Sequence, residues 1–225
     1  MKKIFMFCGI AAAVLYAGTV ILGGWLRPDY SHVSMAISEL VADGAPNRSL
    51  LSPLFLIYNV LVSLFGIGLF LKLKNQSQGR IRGMTGSLAL VAVGAAGILM
   101  ELLFPQEPGG TTMTFAGTMH LVMAGVASLG TMLAILFLAF SFKPHPGLKG
   151  LVVYSMISVS AILVSGGMTA AAMANHSPLF GLIERIMIFT FILWMFVSAR
   201  KMAQLERESD QAGNFEIAAQ IVKGS

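Results

Sequence analysis

Long hydrophobic runs separated by short polar segments dominate the pattern of this chain of 225 residues. Six of the runs reach the roughly 18 to 20 residues that a helix needs to cross a hydrocarbon layer about 30 Å thick. The pattern therefore predicts an all-α integral membrane protein with six transmembrane helices. The predicted spans are residues 4–26, 51–71, 83–104, 115–142, 150–173 and 179–199.

These spans are expected to form one transmembrane domain over residues 1–199, followed by a C-terminal tail over residues 200–225. The tail ends in the amphipathic stretch FEIAAQIVKG, which is expected to lie on the membrane or to stay disordered. A basic start before an apolar run is also typical of a cleaved signal peptide. The first run is long, however, and GGWLRP offers no clear small-x-small cleavage site, so we interpret it as a span.

Composition excludes an ordinary soluble fold, because 56% of the residues are hydrophobic and 11% are charged, against about 25% charged residues in soluble domains. The net charge of +5 would suggest a nucleic-acid partner in a soluble protein. Here the predicted topology explains the basic residues instead, because 12 of the 15 lie on the side of the membrane that carries the N-terminus. The positive-inside rule then places both termini in the cytoplasm. We expect the protein to lie in the cell inner membrane, with lipids as its partners and no nucleic acid. The 12 residues are Lys2, Lys3, Lys72, Lys74, Arg80, Arg82, Lys143, Lys149, Arg200, Lys201, Arg207 and Lys223, and the other three are Arg27, Arg48 and Arg185.

The widest polar segment, WLRPDYSHVSMAISELVADGAPNR at residues 25–48, lies between the first two spans. We predict a short helical lid here on the extracytoplasmic side, with Ser31 as its N-cap and Gly44 as its stop. His32 and Glu39 are seven residues apart and would share one helical face. The simpler alternative is that Ser38 and Glu39 only satisfy helix ends and loop amides.

Ionisable groups at membrane depth are costly and need partners or water, which suggests one outward-facing polar pocket beneath the lid. Arg185 is expected to pair with a carboxylate such as Glu101 or Glu39. The expected ligand-binding residues are His32, Ser38, Glu39, Glu101, His120, Glu184 and Arg185.

Such a pocket most simply indicates binding or transport of a small molecule, an ion or a lipid headgroup. Glutamates would supply charge, and His120 would supply a group that titrates near neutral pH. Small residues at Gly125 to Gly130 and at Gly166 and Gly167 would let the helices pack closely, as in ordinary membrane packing.

A second possibility is a hydrolase or transferase at the outer leaflet that depends on a metal such as zinc, with His32, His120 and His176 as candidate ligands. No HExxH spacing is present, and His176 in NHSP fits a plain turn. The candidate catalytic residues are Ser38, Glu39 and His120, where a Ser38 nucleophile would need a histidine base. A third possibility, haem or quinone redox chemistry, would require paired histidines in facing spans, and only His120 lies clearly inside one.

Three short motifs resemble those of the DUF998 family, a bacterial and archaeal family of unknown function. They are ISEL at residues 37–40 with the Gly and Pro turn after it, FPQE at 104–107, and GTMH at 117–120. The resemblance runs from about residue 9 to residue 199 and implies a multi-pass membrane protein. It places Ser38, Glu39, Pro105, Glu107 and His120 among the family-like positions. Gln106 and the EPGGTT insertion depart from the family pattern.

Overall fold

A computed structural model describes residues 2–107 and 114–224, with side chains for 4–107, 114–208 and 210–211. Within these ranges the regular structure is entirely helical and has no strand. The six long helices are α1 (Lys2–Leu26), α2 (Arg48–Leu73), α3 (Arg80–Leu103), α4 (Phe115–Phe142), α5 (Lys149–Ala174) and α6 (Phe180–Gly224). Two short 3-10 helices, Ile37–Leu40 and Pro146–Leu148, lie in the connections.

Each of the six long helices is long and apolar enough to cross a membrane. A helix is the form that a single segment takes in lipid, because all its backbone N–H and C=O groups are bonded within the segment. The predicted six-span, all-α membrane fold is therefore confirmed.

Each helix packs mainly against its neighbours in the chain, and α1 also packs against α6, so that the six helices close into a bundle. Since successive helices alternate in direction, one side of the bundle carries the start of α1, the α2–α3 turn, the α4–α5 turn and the end of α6. We call this the terminal side. The opposite side, which we call the lid side, carries the long α1–α2 connection, the α3–α4 loop and the α5–α6 turn.

Glycines of α3 provide the closest helix contacts. A Cβ at Gly94 would lie 2.6 Å from the Asn59 carbonyl oxygen and 2.9 Å from the Ser63 amide nitrogen of α2, and a Cβ at Gly97 would overlap the Asn59 side chain. Of the four glycines at which we expected close packing, two show it: a Cβ at Gly130 would lie 2.9 Å from the Val93 side chain, and one at Gly166 would lie 3.2 Å from the Met187 sulfur. Nothing in the described part of the chain comes within 4 Å of a Cβ at Gly125 or Gly167.

The sixth helix does not end where the predicted tail begins. It continues from Phe180 to Gly224, a total of 45 residues, so the tail from Arg200 onward extends the last span without a break. On the terminal side, Lys72 of α2 forms an ion pair with Glu206 of α6 at 3.1 Å. This pair attaches the extension to the end of α2.

The glycine contacts predict a difference between two matched substitutions. Gly94→Ala should lower the thermal stability by about 1 to 3 kcal/mol, because the added methyl group meets backbone atoms that have no room to move. Gly125→Ala places the same methyl group in open space and should be neutral or slightly stabilising. Thermal unfolding of both purified variants in detergent measures the difference, and equal midpoints would contradict the proposed α2–α3 contact.

Candidate functional site

The connection from residue 27 to residue 47, which we call the lid, contains less helix than expected. The regular part is the four-residue 3-10 helix Ile37–Leu40. Ser31 accepts hydrogen bonds from the amides of Val33 and Ser34, both at 3.3 Å, so it stabilises a turn in place of a helix start. Ala36 is extended, with φ −63° and ψ 152°, and this conformation separates the turn from the 3-10 helix. The stop at Gly44 is a left-handed turn with φ +80°.

Apolar side chains attach the lid to the bundle. Leu40 is 1% exposed and Ile37 is 4% exposed. A Cβ at Gly23 of α1 would lie 2.9 Å from Leu40, so the absence of a side chain there lets the lid approach α1 closely. The lid therefore has its own buried face, and its position does not depend on polar contacts alone.

Arg27 fixes the start of the lid. Its guanidinium donates to the Glu39 carbonyl oxygen at 2.8 Å and forms an ion pair with Asp29 at 3.3 Å. The hydrogen bond from Arg27 holds the pKa of the exposed Asp29 carboxyl below its ordinary value. Arg27 therefore connects the two ends of the first half of the lid.

Two carboxylates bind successive amides in the middle of the lid. The Glu39 side chain accepts from its own loop at the Ala36 amide, at 2.9 Å, and Glu184 of α6 accepts from the Ile37 amide at 2.8 Å. Glu39 thus closes the local turn, as in the simpler interpretation of this residue. Glu184 joins the lid to a transmembrane helix.

Arg185 follows Glu184 and is 9% exposed. Its guanidinium donates to the Met35 carbonyl at 2.9 Å, to the Gly181 carbonyl at 2.8 Å and to the Tyr30 hydroxyl. The expected pairing of Arg185 with Glu101 or Glu39 is therefore wrong. Backbone carbonyls of the lid and of α6 take the place of a carboxylate. Every residue has such a carbonyl, so the sequence does not show which of them Arg185 will bind.

Tyr30 completes this group from within the lid. Its hydroxyl donates to the Ala36 carbonyl at 2.8 Å, and the Arg185 guanidinium lies over its ring at 5.5 Å from the centroid. Burial raises the pKa of the Tyr30 hydroxyl to about 12, in spite of the neighbouring arginine, so Tyr30 stays neutral at physiological pH. Tyr30 was not among the expected site residues, although its place in a polar segment near Arg27 was a signal.

A backbone hydrogen bond adds to these contacts. The Leu182 amide of α6 donates to the Val33 carbonyl at 2.9 Å. A Cβ at Gly181 would overlap the Met35 backbone, so a glycine is needed where the lid crosses the first turn of α6. We call the contacts of Leu182, Glu184 and Arg185 with the lid the latch.

His32 lies on the outer surface of the lid and is exposed. Its ring meets the Tyr30 ring edge to face at 5.2 Å, and a Cβ at Gly24 of α1 would overlap it. Partial burial, with a smaller contribution from Arg185, lowers the pKa of His32 below its ordinary value. The imidazole is therefore mostly neutral at pH 7.

The α3–α4 loop forms a second polar group on the lid side. The Asp43 amide of the lid donates to the Gln106 carbonyl at 2.9 Å, and the Glu107 carboxylate accepts from the Thr114 amide at 3.2 Å, just before α4 begins. His120 of α4 bonds through Nδ1 to the Phe104 carbonyl at 2.8 Å. Glu107 and His120 thus organise the described ends of this loop, whereas residues 108–112 of the EPGGTT insertion lie outside the described residues.

Glu101 has a third environment. It is half-buried on α3, where its carboxylate accepts from the Ser52 hydroxyl of α2 at 2.7 Å. The structure thus brings Glu39, Glu184 and Arg185 to the same stretch of the lid, while Glu101 and His120 have partners of their own. That a ligand binds across all of these residues stays a prediction.

The candidate metal ligands do not form a cluster. No three His, Cys, Asp or Glu side chains within residues 4–107 and 114–211, apart from the side chain of residue 209, lie close enough to hold a metal ion. His176 is exposed in the α5–α6 turn, with φ +50°, and so is the turn residue that the NHSP motif suggested. Ser38 is half-buried, and its hydroxyl makes no hydrogen bond to a histidine among the side chains that are described.

The fold and the latch together define a class: a multi-pass membrane protein of six helices, covered on one side by a mostly irregular lid that Glu184 and Arg185 bind through its backbone. The chain belongs to the family described as "Protein of unknown function (DUF998)", whose sequence model matches residues 10–201. The resemblance inferred from ISEL, FPQE and GTMH is thereby confirmed. Comparisons with curated proteins and with solved structures gave no match.

The latch predicts local protection of the lid. Glu184→Ala removes the acceptor of the Ile37 amide, and a hydrogen bond to a charged group contributes about 1.5 to 3 kcal/mol. Hydrogen exchange of fragments covering residues 33–41 should therefore accelerate about 10- to 100-fold. The control Glu206→Ala removes a carboxylate from the same helix on the terminal side and should leave the lid unchanged. Equal exchange in Glu184→Ala and the wild type would contradict the latch.

Proposed function

We propose that this protein binds or transports a small polar molecule, an ion or a lipid headgroup at a site beneath the lid. The observation that carries the proposal is the use of Glu184 and Arg185. An adjacent acid and base stand at the membrane edge, and the lid backbone occupies both of them through Ile37 and Met35. Ionisable groups in membrane spans are costly and usually functional.

The partners of this pair suggest how a ligand would enter. Amide N–H and C=O groups of the lid are neutral and therefore compete weakly with a charged ligand. A ligand carboxylate or phosphate would bind Arg185 more strongly than the Met35 carbonyl does, and a ligand ammonium or amide would replace the Ile37 amide at Glu184. The Arg185 Nε is buried without a partner among the described residues, which leaves a further donor for such a ligand.

Opening of the lid would break a small set of contacts. The polar ones are the latch, which includes the bond from Arg185 to the Tyr30 hydroxyl, the bond between Asp43 and Gln106, and the bond from the Asn47 side chain to the Leu26 carbonyl. The apolar ones are those of Ile37 and Leu40. Because Gly23, Gly24 and Gly181 have no side chains, no side chain at these positions would obstruct movement of the lid away from the helices and back. Binding of a charged ligand in place of the lid backbone would shift the equilibrium towards the open form.

The proposal includes an orientation. We place the terminal side in the cytoplasm and the lid outside the cell inner membrane, because 12 of the 15 basic residues belong to the terminal side. The site would then face the outer leaflet and the medium.

Ligand binding should depend on the charge pair. We expect at least one member of a panel of amino acids, small carboxylates, glycerol phosphate and phosphoethanolamine to raise the unfolding temperature of the purified protein. A ligand at 100 times its Kd contributes about 2.7 kcal/mol, which is several degrees. Glu184→Gln and Arg185→Gln should each abolish the shift.

The matched control is Glu206→Gln, which neutralises a carboxylate of α6 on the terminal side and should keep the shift. If no panel member shifts the unfolding temperature of the wild type, or if Arg185→Gln shows a shift of equal size, the proposed site beneath the lid is contradicted.

The orientation predicts the labelling of single cysteines in a Cys8→Ser background. Asp43→Cys in the lid should react with a membrane-impermeant maleimide in intact cells. Gln78→Cys, which is exposed in the α2–α3 turn, should react only after permeabilisation. The opposite pattern would invert the topology and would exclude an outward-facing site.

A further inference from the structure

A groove on the terminal side of the bundle lies far from the lid. It has a volume of about 430 Å³, which is within the roughly 300 to 1,000 Å³ of small-molecule sites. It is formed between the first turns of α1 and the part of α6 that leaves the membrane on the terminal side. The two helices touch beside it, where a Cβ at Gly9 would lie 2.9 Å from the Ala199 methyl group.

One half of the groove is apolar and open to the outside of the bundle. Phe7 is 48% exposed and Val197 is 39% exposed, and both lie within spans, where exposed apolar side chains face lipid. Phe196 and Ile10 continue this surface. Acyl chains of the membrane are therefore the natural neighbours of this half.

The other half is strongly basic. Arg200, Lys201 and Arg207 line it at the point where the apolar run of α6 ends. Among the side chains that the structure describes, none of the three forms an ion pair, whereas Lys72 nearby is paired with Glu206 at 3.1 Å. Arg200 lies over the Phe196 ring at 5.8 Å from the centroid, so its charge is held at the boundary between the two halves.

Along the membrane normal, the apolar half of the groove is followed by the basic half, which is the order of acyl chain and anionic headgroup in a phospholipid. Arg200 and Arg207 are seven residues apart, or about 10 Å along the helix at 1.5 Å per residue, a distance that covers the headgroup layer at one membrane surface. A soluble anion would use the basic half and leave the apolar half empty. A zwitterionic phospholipid also offers a phosphate, but its ammonium group would be repelled by the three cations.

From this order of apolar and basic surfaces we infer that the groove between α1 and α6 is a binding site for an anionic phospholipid of the leaflet on the terminal side. The anionic phosphate of the headgroup binds among Arg200, Lys201 and Arg207. The upper part of one acyl chain lies on Phe7 and Phe196. The site is separate from the lid and does not depend on the function proposed for it.

Competition between two lipids tests this site. The full chain, purified in neutral detergent, is incubated with equal amounts of phosphatidylglycerol and phosphatidylcholine, and the bound lipid is counted by native mass spectrometry. Phosphatidylglycerol should be retained preferentially. The double variant Arg200→Gln/Lys201→Gln should lower this preference about 25-fold, since each charge near an anionic headgroup contributes about fivefold.

The matched control removes two charges elsewhere on the same side. Lys143→Gln/Lys149→Gln neutralises two exposed lysines at the α4–α5 turn and should keep the preference. The exchange Arg200→Lys/Lys201→Arg preserves both charges and should also keep it. If the double glutamine variant fails to fold by circular dichroism, Arg207→Gln replaces it, with an expected fivefold loss.

Three results would overturn the inference. The first is an unchanged preference in the Arg200→Gln/Lys201→Gln variant or its replacement. The second is an equal loss in Lys143→Gln/Lys149→Gln, which would mean that net charge alone attracts the lipid. The third is displacement of phosphatidylglycerol by an equal concentration of inorganic phosphate, which would mean that the apolar half contributes nothing.

Discussion

A chain segment without helical hydrogen bonds can lie against the edge of a membrane only where the protein or water satisfies its backbone groups. In the lid this requirement is met by Glu184 and Arg185, which supply an acceptor for the Ile37 amide and a donor for the Met35 carbonyl. One acid and one base at successive positions of a single helix can satisfy both kinds of backbone group. That pair and the buried side chains of Ile37 and Leu40 together hold the lid in place.

The lid also brings together parts of the bundle that are distant in the chain. Leu40 packs on α1, the latch lies on the first turns of α6, and the Asp43 amide bonds to the α3–α4 loop. The α1–α6 junction closes the bundle, and it is the place where no covalent turn joins neighbouring helices. A lid fixed to both of these helices therefore strengthens the junction on one side of the membrane, while Gly9 and Ala199 do so within it.

Hydropathy predicted all six spans because the lipid imposes length and polarity on each of them, and α4 has the predicted bounds, Phe115–Phe142. It missed the length of α6, since a change in polarity marks the membrane surface and not the end of a helix. The residue types in the sequence also predicted that Glu39, Glu184 and Arg185 would lie near one another at the lid. They did not reveal that the partners of Arg185 are carbonyls, nor that Gly94 faces a neighbour while Gly125 does not, because helix rotation decides both.

The unbroken course of α6 connects events at the two membrane surfaces. A helix of 45 residues is about 67 Å long, roughly twice the thickness of the hydrocarbon layer. One continuous helix therefore carries both the residues that bind the lid, in its first turns, and the basic residues Arg200, Lys201 and Arg207 on the terminal side.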